Sequence, residues 1–144
     1  IGGRRLSGRH ARRDTRASVG RLCLTNPNLL TSIMQAAVTE YFRVWNAHDE
    51  QGIKALHATA STLTDWDAAH GPTNVEVATG IAGIWKAVPK IQIEVVSIFT
   101  CGEAKSCVAN IKVIVDETTT LNVCDVFTFD QDFKVVSIVA YKAD

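Results

Sequence analysis

The chain has 144 residues, of which 47% are hydrophobic, and its 15 basic and 15 acidic side chains leave no formal net charge. This length predicts one globular domain with a sizeable core, and no apolar run is long enough for a transmembrane helix. Residues 1–24 contain seven arginines and one acid, so eight basic and 14 acidic side chains remain for the other 120 residues. We therefore divide the chain into a basic N-terminal arm, 1–24, and an acidic domain, 25–144.

The arm and the cysteines exclude several classes of function. An arginine-rich arm could contact nucleic acid, but the acidic domain offers no basic face to continue that contact, so we expect no nucleic-acid partner. The arm lacks the apolar stretch of a secretory signal. The four cysteines form no CxxC pair and have no histidine at metal spacing, so we expect reduced thiols, no metal site, no membrane partner and a cytoplasmic location.

Three helices are predicted in the first two thirds of the domain. Apolar residues recur at three- and four-residue steps over 29–48, which predicts a long amphipathic helix, and the Asn-Pro-Asn at 26–28 can cap its start. A short second helix is predicted over 50–57. A third is predicted over 80–88, ending before Pro89.

The remaining segments predict β-structure. Residues 61–66 form a short β-branched strand, and 68–79 are predicted as a loop with a short strand at 75–77. Four longer strands, joined by short links, predict an antiparallel meander over 91–100, 105–116, 119–130 and 133–142. Helices followed by such strands predict an α+β fold, in which a strongly curved, mainly antiparallel sheet wraps round the long helix and encloses a pocket.

Three polar residues fall on faces that are predicted to point into this pocket. Residues 121–129 alternate with a period of two, and Asp125 lies on their apolar face. An ionised carboxylate is costly there, so the pKa of Asp125 should be raised and the group should be a neutral donor. Tyr41 lies on the apolar stripe of the first helix, and Asp65 shares a strand face with Leu63. Each also has an ordinary explanation, namely a core tyrosine, a turn aspartate and a shifted register that turns Asp125 to solvent.

The chain resembles the ketosteroid isomerase branch of the NTF2-like (SnoaL-like) superfamily from about Thr31 to Asp144. The similarity is carried by the first helix with its inward tyrosine, the strand that ends in an aspartate, a Gly-led third helix, the strand with a central aspartate and the closing strand. These are segments 38–49, 60–65, 80–85, 123–130 and 136–141.

The resemblance implies an α+β cone and an enzyme that moves a proton next to a carbonyl group through an enolate. Asp65 would be the ionised general base, and Tyr41 and a neutral Asp125 would donate hydrogen bonds to the enolate oxygen. The ligand would be a small apolar carbonyl compound, and no cofactor or metal is expected. The apolar and aromatic residues expected to contact it are Trp45, His57, Leu63, Trp85, Val88, Phe127 and Tyr141.

Other activities of the same superfamily stay open. Relatives that act on steroids often have further tyrosines where this chain has His57 and Val88, so the substrate need not be a steroid. The alternatives are a SnoaL-like aldol cyclase and a non-catalytic ligand-binding module. An epoxide hydrolase of the limonene type is less favoured, because it uses an Asp-Arg-Asp set and no arginine follows Arg43.

A homodimer is also predicted, through the outer face of the sheet. A monomer would expose apolar residues on that face. The residues assigned to it from the alternation are Ile114, Val126, Val136 and Ile138.

Overall fold

The computed structural model describes residues 26–144, and the predicted arm 1–24 lies outside them. Within this part of the chain, three helices accompany one six-stranded sheet. The helices are α1 (Pro27–Asn46), α2 (Glu50–Leu56) and α3 (Asn74–Ala87). The strands are β1 (His57–Thr64), β2 (Ala69–His70), β3 (Gln92–Cys101), β4 (Ser106–Ile114), β5 (Thr120–Phe129) and β6 (Val135–Lys142).

The sheet has the strand order β2-β1-β6-β5-β4-β3. Strands β3 to β6 form the predicted antiparallel meander, and β1 joins it by pairing parallel to β6. The inner face of the sheet packs against α1 and α3, which confirms the predicted α+β cone. No helix in residues 26–144 is long and apolar enough to cross a membrane.

Helix α1 is fixed at both of its ends. The Asn26 side chain accepts hydrogen bonds from the backbone N–H groups of Asn28 and Leu29, at 3.0 and 3.3 Å, and so caps the first turn. At the other end, the Asn46 side chain donates to the carbonyl of Ile93 and accepts from its N–H group, at 2.8 and 2.7 Å. The apolar stripe between these ends is buried against the sheet, as its periodicity predicts.

Helix α3 begins six residues earlier than predicted, and the predicted strand at 75–77 is wrong. Those residues lie in the first turn of the helix, because Thr73 and Glu76 form a capping box. The Thr73 hydroxyl accepts from the Glu76 N–H at 3.3 Å, and the Glu76 carboxylate accepts from the Thr73 N–H at 3.1 Å. A threonine followed three residues later by a glutamate is a sequence signal for the start of a helix, and it would have predicted the correct first residue of α3.

One residue of the predicted outer face lies in the core instead. Ile138 is only 1% exposed, because an irregularity in the β5–β6 pairing between Thr128 and Phe129 shifts the alternation. Ile138 thus faces inward beside Phe127. The outer face still carries the half-buried Val126, and the homodimer stays a prediction.

The capping box gives a first prediction. Thr73→Ala should lower the free energy of unfolding by about 1 kcal/mol, because it removes an N-cap oxygen, whereas Thr73→Ser should retain most of it. Chemical denaturation of the three proteins measures the difference. Equal stability of the alanine and serine variants would contradict the role of the cap.

The outer face gives a second prediction. Val126 has Val108 and Val139 as its register partners, so Val126→Asp places a charge in the middle of an apolar row and should yield a monomer. Val75→Asp, on the exposed side of α3, is the matched control and should leave a dimer intact. Sedimentation velocity distinguishes these states, and a monomeric parent protein at micromolar concentration would disprove the homodimer.

Candidate active site

Asp125 lies on the inner, apolar face of β5 and is only 7% exposed. Its register neighbours are two alanines, Ala109 on β4 and Ala140 on β6. These small side chains offer the carboxyl group no polar partner, and its Oδ1 has no hydrogen-bond partner within residues 26–144. Burial, and secondly the negative charge of Asp65, raise the pKa of Asp125 to about 7.

Tyr41 projects from α1 towards the same carboxyl group and is 3% exposed. Its ring centroid lies 5.2 Å from that of Phe127 and 5.8 Å from that of His57. Burial, and secondly the charge of Asp125, raise the pKa of Tyr41 above its usual value. The hydroxyl group therefore keeps its proton and is a hydrogen-bond donor near Asp125.

Asp65 directly follows β1 and closes the tight turn to β2. Its Oδ1 accepts hydrogen bonds from the N–H groups of Asp67 and Ala68, at 3.0 and 2.7 Å. These contacts confirm that Asp65 has a turn role, and they also fix the direction of its carboxyl group. Since Thr64 pairs with Val139, Asp65 continues the strand to the level of Ala140.

The two carboxyl groups therefore occupy one level of the inner face. Asp65, directly after β1, and Asp125 on β5 are separated by β6, where Ala140 fills the intervening position. Two strand spacings amount to about 10 Å between the Cα atoms. The negative charge of Asp65 still contributes, after burial, to the raised pKa of Asp125.

Further polar atoms lie buried on the inner side of the cone. The ring nitrogens of His57, the hydroxyl of Ser61 and the indole nitrogen of Trp85 have no hydrogen-bond partner within residues 26–144. Burial lowers the pKa of His57 to about 4, so its ring is neutral near neutral pH. An unsatisfied buried polar group costs about 1–3 kcal/mol, so these groups are stabilised when a ligand supplies the missing partners.

Aromatic rings form the wall between α1 and α3. The Trp45 and Trp85 ring centroids are 5.7 Å apart in an edge-to-face arrangement. The His48 ring stacks on Trp85 at 5.0 Å, and its Nε2 lies 3.2 Å from the carbonyl oxygen of Ile91. Trp45 and Trp85 are thus together on the inner side, as the sequence predicted.

A pocket of about 500 Å³ opens at the wide end of the cone. Two of the predicted site residues, Asp65 and Val88, line it directly. Tyr41, Trp45, Trp85 and Asp125 are buried on the inner side of the cone. Its lining also includes apolar side chains, among them Ile84 on α3, Val113 on β4 and Leu121 on β5, and the polar side chains of Asp67 and His70.

The structure does not bring every predicted ligand contact to the pocket. Tyr141 is 60% exposed and pairs with Cys124 on the outer face of the sheet, so it faces away from Asp125. Phe127 is fully buried and stacks on Phe129, which makes it a core residue below the site. Leu63 lies on the inner face of β1, where the prediction placed it. His57 was predicted as the end of the second helix, but the helix ends at Leu56 and His57 is the buried first residue of β1.

Sequence reasoning missed one polar residue of the pocket wall. His70 lines the pocket beside Asp65, whereas 68–79 was predicted as a loop. The capping box at Thr73 and Glu76 was the available signal for its position. A helix that begins there leaves only a short segment after β1, and His70 lies in that segment. Within residues 26–144, no group of three or more His, Cys, Asp or Glu side chains is arranged to hold a metal ion.

Comparison with known proteins identifies the family. The model of the SnoaL-like domain matches residues 38–138, so the chain belongs to the SnoaL-like family. The predicted family is therefore confirmed, while the ketosteroid isomerase branch stays a prediction. No protein of the curated set matches the sequence.

Solved structures share the fold at low sequence identity. A SnoaL-like protein of unknown function from Burkholderia thailandensis is 17% identical, with a TM-score of 0.68 over 78% of this chain and 97% of that one. A candidate polyketide cyclase from Sinorhizobium meliloti is 17% identical, with a TM-score of 0.65 over 74% and 94%. The epoxide hydrolase/cyclase-like enzyme SalBIII of salinomycin pyran-ring formation is 18% identical, with a TM-score of 0.62 over 78% and 92%. These similarities establish the fold.

The buried carboxyl group predicts a pH-dependent stability. Because the pKa of Asp125 rises from 3.8 to about 7 on folding, the folded state holds a proton that the unfolded state releases, and stability falls as pH rises between these values. Asp125→Asn removes this penalty, so its advantage over the parent should grow between pH 4 and 7 to roughly 4 kcal/mol at most. Denaturation at several pH values measures it.

Asp116→Asn is the control of opposite sign. Hydrogen bonds, first from the N–H of Thr118, lower the pKa of the exposed Asp116, so its stabilisation is present at neutral pH and lost in acid. The asparagine variant should therefore lose stability at neutral pH. A pH-independent difference between Asp125→Asn and the parent would show that Asp125 titrates alike in both states.

Proposed function

We propose that the protein is an enzyme that binds a small apolar carbonyl compound and transfers a proton next to the carbonyl group through an enolate. The observation that carries this proposal is the carboxyl group of Asp125. It is buried on an apolar face beside Tyr41, has an unpartnered Oδ1, and has a pKa raised to about 7. A neutral acid and a phenol are two donors for one oxygen atom.

The proton transfer divides the work between the two carboxyl groups. The carbonyl oxygen accepts hydrogen bonds from Tyr41 and from protonated Asp125, and Asp65 removes a proton from the adjacent carbon. The C–H electron pair forms the enolate double bond, and the negative charge moves to the oxygen. The donors bind that charge more strongly than the neutral carbonyl, which lowers the barrier. Asp65 then returns the proton to carbon, so the reaction needs no cofactor.

The register of the sheet supports this division. Ala140 separates Asp65 from Asp125 at one level of the inner face, and its small side chain leaves room above it for the reacting carbons. Oδ1 of Asp65 is committed to the turn, so Oδ2 is the oxygen for proton transfer. A pocket of about 500 Å³ with apolar walls suits a small ligand.

The alternative chemistries use parts of the same site. An aldol cyclase also forms an enolate. Since this chain shares its fold with a candidate polyketide cyclase, aldol cyclisation is the second candidate reaction. An epoxide hydrolase with an arginine between two aspartates is not supported. Arg43, the last arginine of the chain, is exposed on α1 and forms an ion pair with Glu40 at 2.6 Å.

Replacement of the base tests the proposal. Asp65→Asn should slow hydrogen–deuterium exchange next to the carbonyl of β-tetralone by about 10²- to 10⁴-fold, the usual contribution of a general base. Asp132→Asn, in the exposed turn between β5 and β6, is the matched control and should retain most of the exchange. Proton NMR follows the reaction. Full activity of Asp65→Asn would disprove the role of Asp65. If that variant also bound phenol like the parent, a ligand-binding module would be the remaining interpretation.

The pH dependence tests the role of Asp125. Because Asp125 must be protonated to donate, exchange by the parent should fall as pH rises above about 7. Asp125→Asn keeps a donor that cannot lose its proton, so it should be slower at neutral pH but free of this decline. A decline of the same size in the parent and in Asp125→Asn would show that another group causes the pH dependence.

A further inference from the structure

His70 is a polar residue of the pocket wall that the proposed reaction does not use. It belongs to β2 and pairs with Leu63 on β1, and since paired residues point to the same face, His70 faces the inside of the cone. It is half-buried and lines the pocket together with Asp65. Its ring forms no hydrogen bond to another side chain or to the backbone of residues 26–144, so it can still form a hydrogen bond to a ligand.

Close packing on α3 holds the His70 ring in place. A Cβ atom built on Gly80 would overlap three ring atoms of His70, namely Nδ1, Cγ and Cε1. The ring therefore lies directly on the helix backbone, where only glycine leaves room for it. Gly83 lies nearly one turn later on the same helix, and a Cβ atom there would meet no atom within 4 Å. The position of His70 thus depends on one specific glycine.

The strand order places His70, Asp65 and Asp125 in sequence across the inner face. His70 lies on β2, Asp65 at the end of β1 and Asp125 on β5, so Asp65 lies between the other two. A substrate whose carbonyl oxygen is at Asp125, and whose proton-bearing carbon is at Asp65, extends its next carbon towards His70. A polar group on that carbon would meet the imidazole.

We propose that His70 determines specificity by binding a second oxygen of the substrate, on the carbon beyond the one that loses its proton. The substrate class is then a carbonyl compound with oxygens on both sides of the reacting carbon, as in a β-diketone or a β-hydroxyketone. This inference rests on the proposed function, because that function defines where the first oxygen and the reacting carbon lie. Imidazole can donate to a carbonyl oxygen or accept from a hydroxyl group.

Binding of small phenols tests the inference without any reaction. A phenol oxygen mimics the enolate oxygen, and resorcinol adds a second hydroxyl group on the next carbon but one, whereas catechol and hydroquinone add it elsewhere on the ring. The parent protein should bind resorcinol about tenfold more tightly than phenol, the value of one further hydrogen bond, and should show no such gain for catechol or hydroquinone. NMR titration gives the four dissociation constants.

Three variants connect this preference to His70. His70→Leu should abolish the preference for resorcinol, and Gly80→Ala should also reduce it, because the added methyl group displaces the ring. Gly83→Ala adds the same group to the same helix and should keep the ratio of the two dissociation constants. His70→Gln retains a donor and an acceptor and should restore part of the preference, which excludes a fold defect as the cause.

The outcomes separate the inference from the proposed function. Equal binding of resorcinol and phenol by the parent, no binding of either, or an unchanged ratio in His70→Leu, would overturn the role of His70. Loss of the resorcinol preference in His70→Leu, with the preference retained in Gly83→Ala, supports the inference. Full exchange by Asp65→Asn refutes the proposed function alone.

Discussion

The burial of one carboxyl group on an apolar sheet face is the constraint on which the rest of the site depends. Asp125 cannot be ionised cheaply there, so folding favours its protonated form. The two alanines that flank it, Ala109 and Ala140, give it room without giving it a partner. This arrangement costs stability as pH rises towards 7, but it provides a buried neutral hydrogen-bond donor at lower pH.

The inner face changes character along the axis of the cone. At the closed end, Phe127 and Ile138 pair across β5 and β6 and are fully buried, so they form a solid floor. One level higher, the small Ala140 lies between Asp65 and Asp125, so polar groups replace the apolar ones. At the wide end, apolar side chains of α3 and the sheet border the pocket. The inward face of β5 therefore carries both a residue of the candidate site, Asp125, and residues of the core, Phe127 and Phe129.

Several other polar groups on the inner side lack protein partners. His57 is 3% exposed and neither of its ring nitrogens is bonded, although a buried imidazole normally has at least one partner. Ser61 and Trp85 add further unbonded atoms. A fold optimised for stability alone would replace such groups by apolar ones. Their retention on the inside of the cone fits a protein whose interior binds an oxygen-containing ligand.

The sequence by itself determined the α+β fold and the inward positions of Tyr41 and Asp125, because side-chain alternation and helical periodicity are local properties. Only the tertiary structure decided where Tyr141 and His70 point. Tyr141 faces outward through the register of β6, and His70 faces inward because β2 pairs with β1 and α3 packs over it. The irregularity in the β5–β6 pairing and the pairing of β2 with β1 set these directions, and the alternation within one segment reveals neither of them.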